Sequence, residues 1–179
     1  WIVDDTGYPK KGKHSVGVAR QYCGQLGKQD NCQVAVSVSV ANEKASLPID
    51  YQLYLPREWA EDLQRRRKTE VPTAVCFKTK TAIALEQLQR ARARQVAAGV
   101  VLADAGYGND AEFRDGISAL GLTYAVGIQG STTVWAQDHQ PLPPRRNKGR
   151  GRPGVHLRRD AKHRPIDVKA LAHELPARA

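Results

Sequence analysis

The sequence predicts a mixed α/β domain followed by a basic, poorly structured tail, on three observations. Two short apolar runs each end at aspartate with glycine close behind: Trp1-Ile2-Val3-Asp4-Asp5-Thr6-Gly7 and Val100-Val101-Leu102-Ala103-Asp104-Ala105-Gly106. That is the pattern of buried strands whose last residue emerges at a sheet edge, where open α/β sheets bind ligands. Between them, residues 31–41 alternate at period two and residues 81–98 repeat apolar side chains at helical spacing, so strands and helices share one chain. The charge is also uneven. Residues 1–144 hold 17 basic and 15 acidic side chains (+2) and residues 145–179 hold 11 and 3 (+8), within a formal total of +10.

After the first run, a loop punctuated by Gly7, Pro9 and Gly12 carries Lys10, Lys11 and Lys13. Residues 15–27 are ambiguous, and Gly17, Gly24 and Gly27 speak against a stable helix. Val34, Val36, Val38 and Val40 then alternate with Ala35, Ser37 and Ser39, a strand with one well-buried face. Ile49, Tyr51, Leu53 and Leu55 form a second alternating run closed by Pro56, and the short link between the two suits an antiparallel connection. With the first aspartate run these make a three-strand meander.

Residues 56–68 are polar and helix-prone with Pro56 placed to open the helix; the run Arg65-Arg66-Arg67-Lys68 reads as its solvated end. The spacing of Ala84, Leu85, Leu88 and Ala91 predicts a long amphipathic helix over 81–98, stopped by Gly99. Asp110 suits the N-cap of a short helix with Phe113, Ile117 and Leu120 inward, Gly121 stops it, and residues 122–128 read as a further strand. Strand, strand, strand, helix, strand, helix, strand is the order found in RNase H-like domains. Beyond Gly130, residues 131–140 suit another strand and Pro141-Leu142-Pro143-Pro144 breaks the chain. Residues 145–164 hold too few apolar side chains to fold alone, and a short helix is expected near 168–172. The expected organisation is a core over 1–130 and a basic segment over 131–179.

Composition narrows the function. With 179 residues there is room for a real core. A chain that starts at Trp1 and contains no Met reads as an internal piece of a longer one. The basic tail points to a polyanion, most commonly nucleic acid. Cys23, Cys32 and Cys76 lack CxxC spacing and are odd in number, which argues for inert thiols in a reducing compartment rather than a disulfide framework or zinc site. No histidine pairs at metal-ligand spacing, and no apolar run is long enough to span a bilayer.

Phosphodiester cleavage requires charge neutralisation on the attacking and leaving oxygens, which two divalent ions about 3.5–4 Å apart provide when carboxylates hold them. Mg²⁺ takes one or two carboxylates per ion, completed by water and phosphate. Aspartates at the ends of two neighbouring strands meet that need; on spacing alone they fit turn residues as well. Alternation puts Asp4 and Asp5 on opposite faces, and Thr6 and Gly7 behind Asp5 make it the preferred ligand, with Asp4 left to cap or pair locally.

Six blocks, in order, resemble the catalytic region of bacterial insertion-sequence DDE transposases. They are Asp4-Asp5-Thr6-Gly7-Tyr8-Pro9-Lys10-Lys11-Gly12, Ser15-Val16-Gly17-Val18-Ala19-Arg20-Gln21-Tyr22, and Asn31-Cys32-Gln33-Val34-Ala35-Val36, then Leu53-Tyr54-Leu55-Pro56 with Trp59, Phe77-Lys78-Thr79-Lys80, and Ala103-Asp104-Ala105-Gly106-Tyr107-Gly108. The resemblance implies an RNase H-like fold, with Asp5 and Asp104 as the first two members of the catalytic triad and as ligands of Mg²⁺ (or Mn²⁺). It implies nicking at element ends by activated water, strand transfer by the freed 3′-hydroxyl, DNA as partner, a homodimer in a synaptic complex and a bacterial cytoplasmic location, nucleoid-associated on DNA. Lys10, Lys11, Lys13, Lys78 and Lys80 match basic positions near that site and are assigned to DNA phosphates.

The family's third acid, a downstream helical Glu, has no match. Glu174 stands too close to Pro176 for a sustained helix, and Asp160 and Asp167 lie in the charged tail. A two-carboxylate site implies weak metal binding and a chain inactive by itself. Arg150-Gly151-Arg152-Pro153 matches the core of an AT-hook, giving Arg150 and Arg152 to an A·T minor groove or, as a flexible basic linker, to phosphates. Two other readings compete: a non-catalytic DNA-binding remnant, and an aspartate-nucleophile phosphohydrolase, whose Asp-x-Asp-x-Thr spacing is absent from Asp4-Asp5-Thr6.

Overall fold

The three runs expected to form the meander do so around one long strand. In the computed structural model, which describes residues 1–137, 139–144, 149 and 154–176, β1 is Ile2–Pro9, β2 Ala19–Cys23, β3 Lys28–Ala41 and β4 Ser46–Leu53. β3 pairs antiparallel with β1 along one edge, from Ile2↔Ser39 to Pro9↔Cys32. Its other edge is shared, with β2 opposite Lys28 to Cys32 and β4 opposite Ala35 to Ala41. β5, Val101–Ala103, and β6, Tyr124–Val126, extend the sheet beyond β1 as parallel strands. The order β2-β3-β1-β5-β6, with β4 also on β3, is the mixed sheet of an RNase H-like fold.

Because β3 lies inside the sheet, the single buried face expected of it becomes two: Ala35 and Ser37 are buried alongside Val34, Val36 and Val38. β2 was not legible as a strand. Arg20 and Tyr22 of β2 are exposed, and its extended backbone is stabilised by pairing with β3 rather than by a hydrophobic pattern. Gly17, ahead of it, has φ +76°, and a Cβ there would lie 2.8 Å from the Tyr54 carbonyl oxygen, so glycine is required.

Helices cover one face. The single helix expected over 56–68 is two, α1 Arg57–Glu61 and α2 Leu63–Lys68. The break is Asp62, whose side chain accepts from Arg65 N at 2.8 Å and so begins a new helix instead of continuing the old one. α3, Lys80–Ala93, is capped by Thr79 accepting from Ala82 N. It ends well before Gly99, because Gln95 takes the left-handed conformation (φ +57°) and Val96 N closes onto Ala91 O at 3.0 Å. α4 is the short turn Ala105–Gly108 and α5 is Ala111–Ala119, which Asp110 caps through Phe113 N as expected.

Val3, Val36 and Val38 of the sheet pack against Ile83, Ala84, Leu88 and Ala91 of α3 and Phe113 and Ile117 of α5. A fully buried side chain such as Leu88 contributes about 1.5–3 kcal/mol over its exposed state. Gln87 sits in the same layer and donates from Nε2 to Val36 O at 2.9 Å, tying α3 to β3. A smaller cluster of Val18, Leu55 and Trp59 anchors α1, with Trp59 Nε1 donating to Val18 O at 2.7 Å.

These elements form one compact unit, Trp1–Gly127; a second is Ile128–Ala179. The second unit holds β7, Thr133–Val134, antiparallel to β8, Ile166–Asp167, followed by α6, Val168–Glu174. The strand expected over 131–140 is thus two residues long. None of the buried hydrophobic core residues belongs to this unit among the described residues. No helix among the described residues is long and apolar enough to cross a membrane.

Candidate active site

Two neighbouring parallel strands carry the aspartates to the same level. Ile2 pairs with Leu102, so two residues further on Asp4 comes level with Asp104 and Asp5 lies one step beyond. Alternation then separates the acidic pair in β1. Asp5 shares the face of Val3 and Val36, against which the helices pack, and Asp4 points to the other. Asp4 Oδ1 accepts from the Asp5 backbone N at 2.7 Å, a local pairing.

Asp5 is held from two sides. Lys80 Nζ, at the start of α3, contacts Oδ2 at 2.5 Å, and the Tyr107 hydroxyl donates to Oδ1. Lys80 also lies 5.5 Å from the centre of the Tyr54 ring. Tyr107 is buried and packs against Phe113. Burial first, and then the negative charge of Asp5, push its phenol far above the ordinary range, so it stays protonated and serves as a donor.

Asp104 ends β5 and caps α4, with Oδ1 accepting from Gly106 N at 2.9 Å and Tyr107 N at 3.4 Å. That capped turn folds Tyr107 back toward β1. Gly108 lets α4 lie directly on the strand beside it, since a Cβ there would stand 2.0 Å from the Gly127 carbonyl oxygen. Asp4, Asp5, Asp104 and Tyr107 all line one open cleft of about 560 Å³.

This geometry can be set beside known proteins. A family model for DDE superfamily endonucleases matches residues 1–179. The chain belongs to the DDE superfamily endonucleases. It is 34% identical over 134 residues to a probable transposase for insertion sequence element IS701 from Microchaete diplosiphon, a match that covers 74% of this chain and 32% of that protein. The chain therefore spans about a third of the length of that curated relative. No solved structure matches it.

The lysines assigned to phosphates in this DDE-family chain divide into two groups. Lys10, Lys11 and Lys13 are exposed on the loop after β1, a loop fixed by Asn31 Nδ2 donating to Lys10 O and Gly12 O. Lys80 is engaged by Asp5, and Lys78 Nζ lies 2.6 Å from Glu86 Oε1, so both are ion-paired to carboxylates of this chain at its surface. Arg150 and Arg152 lie outside the described residues.

Sequence reasoning missed Tyr107 as a site residue. The signal was its position three residues after Asp104, one turn into a helix that Asp104 itself caps. Cys23 and Cys32 are buried, and burial raises the Cys32 thiol above its ordinary value; Cys76 is exposed.

For a divalent cation, the donors present are hard carboxylate oxygens in an open cleft, the class Mg²⁺ prefers. Among the described residues, no group of three or more His, Cys, Asp or Glu is arranged to hold a metal. Asp160 is taken up by a turn and by His163, 2.7 Å away. The carboxylate oxygens are of the class such a cation takes, and both Asp5 oxygens already accept from protein donors, Oδ2 from Lys80 and Oδ1 from Tyr107.

Proposed function

We propose that this chain is part of the catalytic domain of a DDE transposase and that its cleft supplies part of the site that binds and cuts a phosphodiester at an insertion-sequence end. The observation that carries the reading is the delivery of Asp5 and Asp104 into one cleft by adjacent parallel strands. Asp5 and Asp104 would hold Mg²⁺ (or Mn²⁺), which when bound neutralises charge on the phosphate and activates water. Tyr107 keeps its proton on the phenol oxygen and, with Lys80, fixes the Asp5 carboxylate in one orientation. Lys10, Lys11 and Lys13 on the exposed loop hold phosphates, and Lys80 adds positive charge at the cleft. With two carboxylates the site binds metal weakly and this chain alone does not cut; cleavage, strand transfer and a synaptic homodimer belong to the longer protein. Its setting is the bacterial cytoplasm, at the nucleoid when bound to DNA.

Mn²⁺ binding followed by electron paramagnetic resonance tests this reading. A weak saturable site in the 179-residue chain, lost in both Asp5→Asn and Asp104→Asn, supports it. Binding that survives both substitutions overturns it. A second reading, a DNA-binding remnant without catalysis, draws on the engagement of both Asp5 oxygens by Lys80 and Tyr107. It requires salt-dependent DNA binding with no Mn²⁺ site.

A further inference from the structure

The basic run of α2 and the lysine loop after β1, far apart in sequence, meet at one surface. Arg65 makes the junction: its guanidinium stacks 3.5 Å from the centre of the Trp59 ring, and its Nη2 donates to Lys13 O at 2.7 Å. Trp59 is fully buried and bonded to Val18 O, so the support is rigid. Two adjoining clefts result, of about 340 and 500 Å³, both lined by His14, Arg65 and Lys68, with Lys13 in the second. Asp62 lies there too, its Oδ1 accepting from Arg65 N as the cap of α2, one carboxylate against the cations of Lys13, Arg65 and Lys68. Lys13, Arg67 and Lys68 are exposed, while Arg66 is turned inward to the carbonyls of Ala60 and Pro72.

We infer that Lys13, His14, Arg65 and Lys68 form a second phosphate-binding surface, which holds the backbone of the same DNA duplex that enters the Asp5–Asp104 cleft. The inference rests on the proposed reading of that cleft. Position decides for a polymer already bound at the aspartates. Tyr8 lines the aspartate cleft and Lys13 lines the new one, and five residues of chain span at most about 18 Å. At about 3.4 Å per base pair, that is roughly five base pairs of duplex. Arg65, held by stacking and by a carbonyl, shapes the surface, and Lys13 and Lys68 supply mobile ammonium groups for phosphate oxygens.

The test is fluorescence anisotropy of a labelled DNA duplex against salt, with the full chain. Lys13→Ala/Lys68→Ala is compared with Lys44→Ala/Arg92→Ala, which removes equal charge from exposed positions at the opposite end of the sheet and of α3. The patch pair is expected to lower the slope of log K against log salt by about 0.9 per lost contact, about 1.8 in all, and the reference pair to leave it near wild type. Equal slopes for the two pairs overturn the inference. Failure of the cleft reading looks different: a slope change at the patch pair with no Mn²⁺ site at Asp5 and Asp104 supports the patch and overturns the cleft.

Discussion

Replacing Tyr107 by Phe isolates one bond at the centre of the site. The ring remains packed against Phe113, with centroids 5.7 Å apart, so the loss is the hydroxyl that donates to Asp5 Oδ1. A hydrogen bond to a charged acceptor contributes about 1.5–3 kcal/mol. Asp5 keeps Lys80, and its side chain is 31% exposed, so water can reach the vacated oxygen and the lower end applies, about 1.5 kcal/mol. At this chain length each kcal/mol shifts Tm by about 2–4 °C, so a fall of about 3–6 °C is expected. The deciding measurement is a double-mutant cycle by urea unfolding, read from tryptophan fluorescence. In an Asp5→Ala background the phenol is a buried donor without its acceptor, and Tyr107→Phe becomes neutral or stabilising. An equal loss in both backgrounds would show that the hydroxyl does not act through Asp5, and the account of how that carboxylate is oriented would fail.

Asp104 carries a structural role that can be separated from metal binding. Asp104→Ala removes the acceptor for Gly106 and Tyr107 N–H and should cost about 1 kcal/mol, whereas Asp104→Asn, which keeps a capping oxygen, should stay within a few tenths of that scale; a fully stable alanine variant in thermal unfolding would refute the cap. Asp110 gives a pH signature. Its carboxyl is held below its ordinary 3.8, first by the Thr81 hydroxyl at 2.7 Å and then by backbone donors including Phe113 N. A depressed carboxyl stabilises fully above its unfolded pKa and loses that contribution as pH falls through the folded one. The urea midpoint of wild type should therefore exceed that of Asp110→Asn by a constant amount near neutrality and converge on it below about pH 4. A gap that widens on acidification would contradict the assignment.

Local patterns revealed the parts of this fold that are locally determined. Alternating valines marked β3, and apolar spacing marked α3 and α5, because the same side chains that define the period are those buried in the core. Asp110 was readable as a cap because the cap bond spans three residues. What escaped depends on distant partners or on competition. β2 is a strand only because β3 runs past it. α3 ends at Ala93 because Gln95, a residue with no propensity for the left-handed region, adopts it ahead of the glycine that has it. Asp62 divides a helix-prone stretch because its side chain competes for the backbone. In the site, Asp5 and Asp104 were visible as strand ends, but the contacts of Asp5 with Lys80 and Tyr107 bridge 75 and 102 residues and leave no periodic trace.

The lone Ile2–Leu102 register pair between β1 and β5 makes the two carboxylates unequal tenants. Asp5 rides on a strand zipped to β3 over eight residue pairs, whereas Asp104 follows a three-residue strand, paired to β6 over three residues, and caps a single turn. Breathing of the site should thus be one-sided, with the wall bearing Asp104 swinging and the wall bearing Asp5 standing still. In hydrogen exchange, amides at residues 104–108 would lose protection long before those of residues 34–38, and the mouth would widen by hinging at its weaker jamb.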